Sequence, residues 1–553
     1  MNLDSLGDNL SDLEIVTTYH NRTKHYFDRY ARSLGYMDWK TQPDPFRRYE
    51  DAPLIRLPLP PAERELPYWK LYAKDGVSPS LLTLQNLSLF FLYSLSITAW
   101  KNIPEATWAL RVNPSSGNLH PTEGYVLLPK LEGLHDHPGL YHYSPREHGL
   151  EHRAEFDPQS WTHLNDSLPV SSFVVGLSSV YWREAWKYGE RAFRYCQHDV
   201  GHALGTLRLA AAALGWSLRL LDTMEEPHLS RLLGLDRKSD FKGADQEYPE
   251  LLALVSPGLV DTANSQETLK KLTALGWYGK ANLPTHTSTV DWPVIDQVSL
   301  ASENRGKDLR EDLSGLPSEQ EVFTHPIRTG SFTAEKIILG RRSALAMDGQ
   351  TALPIETFYN MMGRLIPTQE AIAPWDVFHW RPRIHFGIFV HRVTGLSEGL
   401  YVLVRDPKMV ESLKASMDSE FLWKKPAGCP TGLPLYLLQV GDFRGKAAGV
   451  SCGQSIAGDG AFSLGMIADF QDSLALHGAS FYRNLFWEAG LVGQVLYLEA
   501  EEAGIRATGI GCYFDDPVHQ IFGMTTQKFQ SLYHFTVGAP VEDNRLTTLP
   551  AYE

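Results

Sequence analysis

The sequence predicts an α+β protein in which one domain occurs twice, the two copies packing as an intramolecular pseudo-dimer. Three observations lead there. At 553 residues the chain exceeds one ordinary hydrophobic core, and domain sizes point to two to four units. Helix and strand patterns alternate to about residue 275 and resume after a stretch rich in Ser, Thr, Pro and charge. Finally, YGERAFRYCQHDVGHALGTLRLAAAALGW, from Tyr188, and HGASFYRNLFWEAGLVGQVLYLEAEEAGI, from His477, share a pattern at a constant offset of 289.

At that offset Gly189 meets Gly478, Arg194 meets Arg483, Asp199 meets Glu488 and Gly201 meets Gly490. Leu209 meets Leu498, Gly215 meets Gly504, and the register runs on without a gap to Gly234 and Gly523. In both copies the middle reads as a long apolar-periodic helix closed by a C-cap glycine. A unit of about 200 residues is far longer than a solenoid repeat, so a duplicated domain is expected, with a site at the seam between copies.

The elements then follow in order. Residues 1–75 form a polar and aromatic lead whose LIRLPLPP reads as an extended arm. Residues 76–279 hold the first copy, 280–335 a linker or surface excursion, and 336–553 the second copy.

Charge and cysteine usage remove several function classes. With 65 acidic against 51 basic side chains, a net charge of -14, no field collects phosphate backbones or anionic lipid, so neither nucleic acid nor membrane is an expected partner. Cys196, Cys429, Cys452 and Cys512 lie far apart with no Cys-x-x-Cys, which suggests neither a disulfide framework nor a thiolate metal site. The N-terminus lacks a basic n-region with a long apolar core, and Leu87 to Trp100 is too short and polar to span a bilayer. A cytoplasmic protein is expected.

RVNPSSGNLHPTEGYVLLP, Arg111 to Pro129, crowds turn-formers in front of a buried-looking strand. With the repeated helix, ILGRRSALAM and GQVLYLEAEEAGIRATGIGCYFDD, it resembles the flavin-dependent nitroreductase fold. More narrowly these motifs, and the lead Tyr19 to Tyr49, resemble the SagB-type azoline dehydrogenases, which oxidise heterocycles in peptide natural products. The resemblance implies two fused nitroreductase-like domains, an antiparallel-rich sheet in each, and one FMN at their interface. In the homodimeric relatives it implies, an Arg-x-Ser of one subunit grips the FMN phosphate and a Pro-Ser-Ser-x-Asn loop of the other meets the flavin. Here Arg341, Arg342 and Ser343 occur only in the second copy, whereas Pro114, Ser115, Ser116 and Asn118 occur only in the first. The chain thus holds both halves of one site, and one FMN per chain is expected.

The chemistry suits the residues. Guanidinium forks and a hydroxyl match a phosphate dianion, and Ser-Ser-Gly brings backbone N–H groups close without bulk. By resemblance, Thr508, Gly509, Ile510 and Gly511 run beside the flavin, and Arg545 matches a late phosphate-binding Arg. Leu345 departs from the pattern, which usually has a second cation there. Lys187 and Tyr188 match the catalytic Lys-Tyr pair of such dehydrogenases, while the second copy reads Leu476 and His477. Arg219, Leu220 and Leu221, standing where the second copy has Thr508 and Gly509, are expected to occlude the pseudo-symmetric site.

The function implied is FMN-dependent dehydrogenation of an azoline or related unit in a peptide or small molecule. Lys187 with Tyr188 takes a Cα proton, hydride passes to flavin N5, and oxygen reoxidises the flavin. Two other readings stay open: an NAD(P)H-dependent nitro or quinone reductase, and a non-catalytic partner in a peptide-modifying complex. Biosynthetic partner proteins are compatible with each, and so is a monomeric pseudo-dimer or a higher oligomer. No metal is expected: His20 and His25 lack partners at ligand spacing, and His135 to His152 reads as a hairpin. Gly458 to Gly465, GDGAFSLG, does not fit the dinucleotide fingerprint.

Overall fold

Two antiparallel sheets repeat one strand order in the computed structural model, which describes residues 6–7, 10–166, 168–258, 262–284, 290–323 and 332–552. The first sheet runs Ala274–Trp277, Gly149–Phe156, Gly139–Ser144, Thr122–Leu128, Phe173–Ser179, Tyr248–Ser256, Ser217–Leu220, with Leu54–Arg56 from the lead added beside Gly149–Phe156. The second runs Leu435–Val440, Gly399–Leu403, Ile384–Val390, Phe462–Asp469, Phe529–Gly538, Arg506–Ile510. Thr122–Leu128 and its counterpart Ile384–Val390 are buried along their whole length, so the central strands are covered on both faces.

The long helices of the repeat are Ala192–Ala213 and Phe481–Glu502, each 22 residues and 289 apart at both ends. They are buried nearly all round because each is the other's main packing partner. Their closest approach is between the matched glycines. A Cβ on Gly201 would lie 2.3 Å from the Trp487 carbonyl oxygen, and one on Gly490 would lie 2.2 Å from that of His198. Salt bridges cross the same axis reciprocally, Arg194 to Asp515 at 2.8 Å and Arg483 to Glu226 at 3.2 Å. Each partner is itself 289 residues from its counterpart, as a two-fold interface demands. Gly490→Leu is expected to wedge the helices apart and cost about 1–3 kcal/mol, as overpacking does; chemical denaturation reads it, and an unchanged midpoint would contradict this crossing.

Each copy also hands a segment to the other. The C-terminal strand Thr547–Leu549 pairs with Ile97–Ile103, extending the hairpin completed by Ala106–Arg111. The lead helix Asp12–Arg22 opens on a Ser11/Glu14 capping box and wedges between the copies: Tyr19 Oη donates to Glu190 O, and His20 contacts Tyr482 and Gln530 of the second copy. The stretch expected as a linker is more structured than its composition indicated. Pro293–Ala301 is a helix burying Val294, Ile295 and Val298, whereas 285–289 and 324–331 lie outside the described residues. Among the described residues no helix is long and apolar enough to cross a membrane.

Candidate functional site

A cavity of about 670 Å³ opens at the seam between the copies, within the roughly 300–1,000 Å³ of cofactor sites. One wall is the loop Pro114–Asn118 with His120. The loop is held in a conformation that L residues seldom adopt, with φ 63° at Gly117, 59° at Asn118 and 48° at His120. Local bonds hold that strain in place. Ser115 Oγ accepts from His120 N at 2.8 Å, and Asn118 Nδ2 donates to Ala109 O at 3.0 Å. Gly117 has no alternative. A Cβ there would meet Tyr188 Oη at 2.7 Å and Lys187 Nζ at 3.0 Å, so the bare backbone lies directly on the Lys-Tyr pair.

The opposite wall comes from the second copy. Arg341 follows the helix Ala334–Gly340 and reaches into the first copy, donating Nη2 to Arg111 O at 2.8 Å and Nε to Val112 O at 3.2 Å. Its Nη1, buried, has no hydrogen-bond partner among the described residues. Arg342 is fixed by Thr98 Oγ1 at 3.1 Å, and its own N–H donates to Glu501 at 2.7 Å. Burial lowers the pKa of both guanidinium groups, that of Arg342 to about 10, and leaves them charged at neutral pH. Ser343 Oγ donates to Tyr497 Oη at 3.0 Å, and the same hydroxyl accepts from Gly509 N at 2.9 Å. The strand Arg506–Ile510 thereby joins the wall, Gly509 against Tyr533 and Gly511 against Tyr195.

All the sequence-predicted site residues line this cavity except two. Lys187 sits beneath Gly117 behind the lining, and Arg545 is turned to solvent, its guanidinium paired with Asp543 at 2.7 Å. The further cations at the cavity are Arg111, Arg506 and Lys101, which sequence reasoning missed as site residues. Arg506 is balanced by Glu542 at 2.7 Å, and Lys101 donates to Thr548 Oγ1 on the C-terminal strand. An orphaned buried guanidinium nitrogen amid these cations and a hydroxyl fits the phosphate end of FMN.

Two carboxyl groups beside the Lys-Tyr pair were also missed. Glu184, Lys187 and Tyr188 share one face of the helix Tyr181–Tyr188, at i, i+3 and i+4. The matching helix Phe470–His477 carries Ser473, Leu476 and His477, so comparing the copies residue by residue would have exposed Glu184. Asp199, recognised only as a repeat position, accepts from Ser116 N at 3.2 Å, and its Oδ2 is buried with no hydrogen-bond partner among the described residues. Burial raises its pKa to about 7, and burial together with Asp199 raises that of Glu184 well above the carboxylate range. Burial likewise raises the Tyr188 phenol and lowers the Lys187 amine.

The Asp199 shift has a sign that can be checked. A carboxyl raised on folding contributes stability that is complete below its unfolded value near 3.8 and lost as pH rises through about 7. Asp199→Asn is therefore expected to lose less stability than wild type between pH 5 and 8, by on the order of 3 kcal/mol. The difference from wild type is the readout, since Glu226 and Glu499 are also raised to about 7. Superimposable stability profiles of the two proteins without added cofactor would contradict it.

Across the pseudo-two-fold the counterpart cavity has shrunk to about 220 Å³. Arg219 and Glu488 line it, where Thr508 and Asp199 line the larger one. The occluding bulk differs from expectation. Leu220 and Leu221 do not reach it, whereas Arg219 does, together with Trp375, Phe378 and Trp380 in the loop before the strand Ile384–Val390. Arg208 of the first copy clamps that loop, donating to both oxygens of Asp376 at 2.8 Å.

No family model matches the chain. The "putative nitroreductase" MJ1384 of Methanocaldococcus jannaschii is 24% identical over 177 residues, 31% of this chain and 80% of that protein. The trifolitoxin-processing protein TfxB of Rhizobium leguminosarum bv. trifolii is 30% identical over 169 residues; the match covers 29% of this chain and 44% of TfxB, less than half its length. A crystal structure described as a "putative nitroreductase" from Anabaena variabilis superposes with a TM-score of 0.66 at 23% identity, over 95% of this chain and 99% of that one. The chain has the nitroreductase fold.

Proposed function

We infer that the chain is an FMN-dependent oxidoreductase that dehydrogenates an azoline or related heterocycle in a peptide or small-molecule substrate. The observation that carries this reading is the cation-lined cavity between the copies, with the Lys187-Tyr188 pair under its loop wall. Arg341, Arg342 and Ser343 would hold the phosphate, and the Pro114–Asn118 loop with Thr508 to Gly511 would flank the ring. When bound, FMN supplies a two-electron acceptor.

The chain's own task is the proton. Dehydrogenation releases one proton from the substrate Cα, and the half-buried Lys187 amine, its charged form disfavoured by burial, is the group to accept it. Glu184 opposes this in part, but burial outweighs it and the Lys187 amine is lowered on balance. Tyr188, its phenol raised by burial, stays protonated and acts as an O–H donor. Similarity to TfxB, a trifolitoxin-processing protein, supports a peptide substrate and biosynthetic partners.

A reductase running on NAD(P)H is the second reading, favoured by the descriptions of the MJ1384 and Anabaena proteins. The visible spectrum of the pure protein comes first: flavin absorbance at one FMN per chain is expected, and colourless protein that takes up no FMN would leave only a non-catalytic role. Anaerobic mixing then separates the two enzymes. Bleaching by an azoline peptide but not by NADPH supports the dehydrogenase, and rapid bleaching by NADPH alone overturns it.

A further inference from the structure

The four cysteines are far apart in sequence, yet the fold brings two of them together beside the cavity. Cys452 and Cys512 lie side by side, 2.6 Å from Sγ to Sγ, and Cys512 lines the cavity directly after Gly511. Both are half-buried, within reach of a small molecule. Their backbones are tied together: Phe514 N donates to Val450 O at 2.8 Å, and Gln454 Nε2 donates to Cys512 O at 3.1 Å. Cys452 is itself in the left-handed region, φ 55°.

The surroundings distinguish the two sulfurs. His25 Nδ1 accepts from Ala31 N at 2.9 Å, which puts the ring proton on Nε2, and this ring hydrogen-bonds Cys512. Arg191 stands on the same side, donating Nη2 to Gly511 O at 3.4 Å. Cys512 is drawn down by its contact with Cys452, with His25 and Arg191 adding, while Cys452 is pushed up. The other two thiols offer no such setting. Burial raises Cys429 to about 11 and Cys196 well above the thiol range.

We propose that Cys452 and Cys512 form a reversible disulfide beside the cavity by exchange with a low-molecular-weight disulfide of the glutathione type. The Cys512 thiolate attacks one sulfur of that disulfide, its S–S bond breaks, and one thiolate leaves. Cys452 gives up its proton and attacks the Cys512 sulfur of the mixed disulfide, expelling the second thiolate. The protein dithiol loses two electrons and two protons, and the small disulfide gains both as two thiols. The bond would staple the turn bearing Gln454 to the segment bearing Cys512, both part of the cavity wall. This inference does not depend on which cofactor or substrate the cavity takes.

The test is to equilibrate the full-length protein with oxidised glutathione, quench with acid, alkylate under denaturing conditions and map peptides by mass. Wild type is expected to lose two of its four thiols and yield a Cys452–Cys512 linked peptide that dithiothreitol removes. C452S should carry one glutathione on Cys512, and C512S little on Cys452. Survival of all four thiols, linkage through Cys196 or Cys429, or equal glutathionylation of the two variants would overturn the proposal.

Discussion

Lys187→Ala is expected to lower turnover of a verified azoline substrate about 10²–10⁴-fold, the usual worth of a positioned general base, while the protein keeps its flavin. The separation follows from position. Lys187 lies under Gly117 and makes no contact with Arg341, Arg342 or Ser343, so its loss leaves the phosphate end intact. Lys187→Arg is the informative companion. It restores charge and length but not a group that deprotonates, so the base reading expects it to be as slow as alanine. Recovery in the arginine variant would mean that Lys187 only packs the loop, and unchanged turnover in alanine would remove it from the chemistry.

The fold was legible because duplication left a readable signature. The matched glycines are positions where backbone geometry leaves little choice: Gly189, Gly215 and Gly234, with Gly478, Gly504 and Gly523, all have positive φ, and Gly201 meets Gly490 at the helix crossing. The loop at 114–118 and the Arg341–Ser343 run were legible as local motifs, and folding across the seam brings them to one cavity. What escaped lacks local pattern. Arg506 and Lys101 reach the cavity from strands whose sequences read as ordinary, and Lys101 depends on pairing with a C-terminal strand over 440 residues away. Glu184 and Asp199 escaped because a buried carboxyl on a helix looks like any exposed one in sequence. Cys452 and Cys512 escaped because their proximity comes from two turns 60 residues apart.

The clearest record of the duplication is the fate of one carboxylate position. Asp199 faces the larger cavity with an oxygen that has no hydrogen-bond partner among the described residues, while its counterpart Glu488, lining the smaller one, is paired by Arg405 in direct contact and accepts from Arg383 N at 3.1 Å and Ile384 N at 3.2 Å. Arg405 is itself held by Leu365 O at 2.6 Å and lies over the Trp375 ring at 4.5 Å, tying the charge pair to the aromatic loop that lines the smaller cavity. In the smaller cavity the buried carboxylate is neutralised from within the chain. Arg405→Met, which keeps much of the volume, is expected to strand the Glu488 charge and destabilise the protein by about 3–5 kcal/mol, as breaking one side of a buried pair does. Arg405→Met with Glu488→Gln should recover most of that loss, because the amide oxygen still accepts from the two backbone N–H groups and no charge remains. Denaturation of the single and double variants decides it. A single variant as stable as wild type, or a double variant no better than the single, would mean that Arg405 is not what neutralises this site.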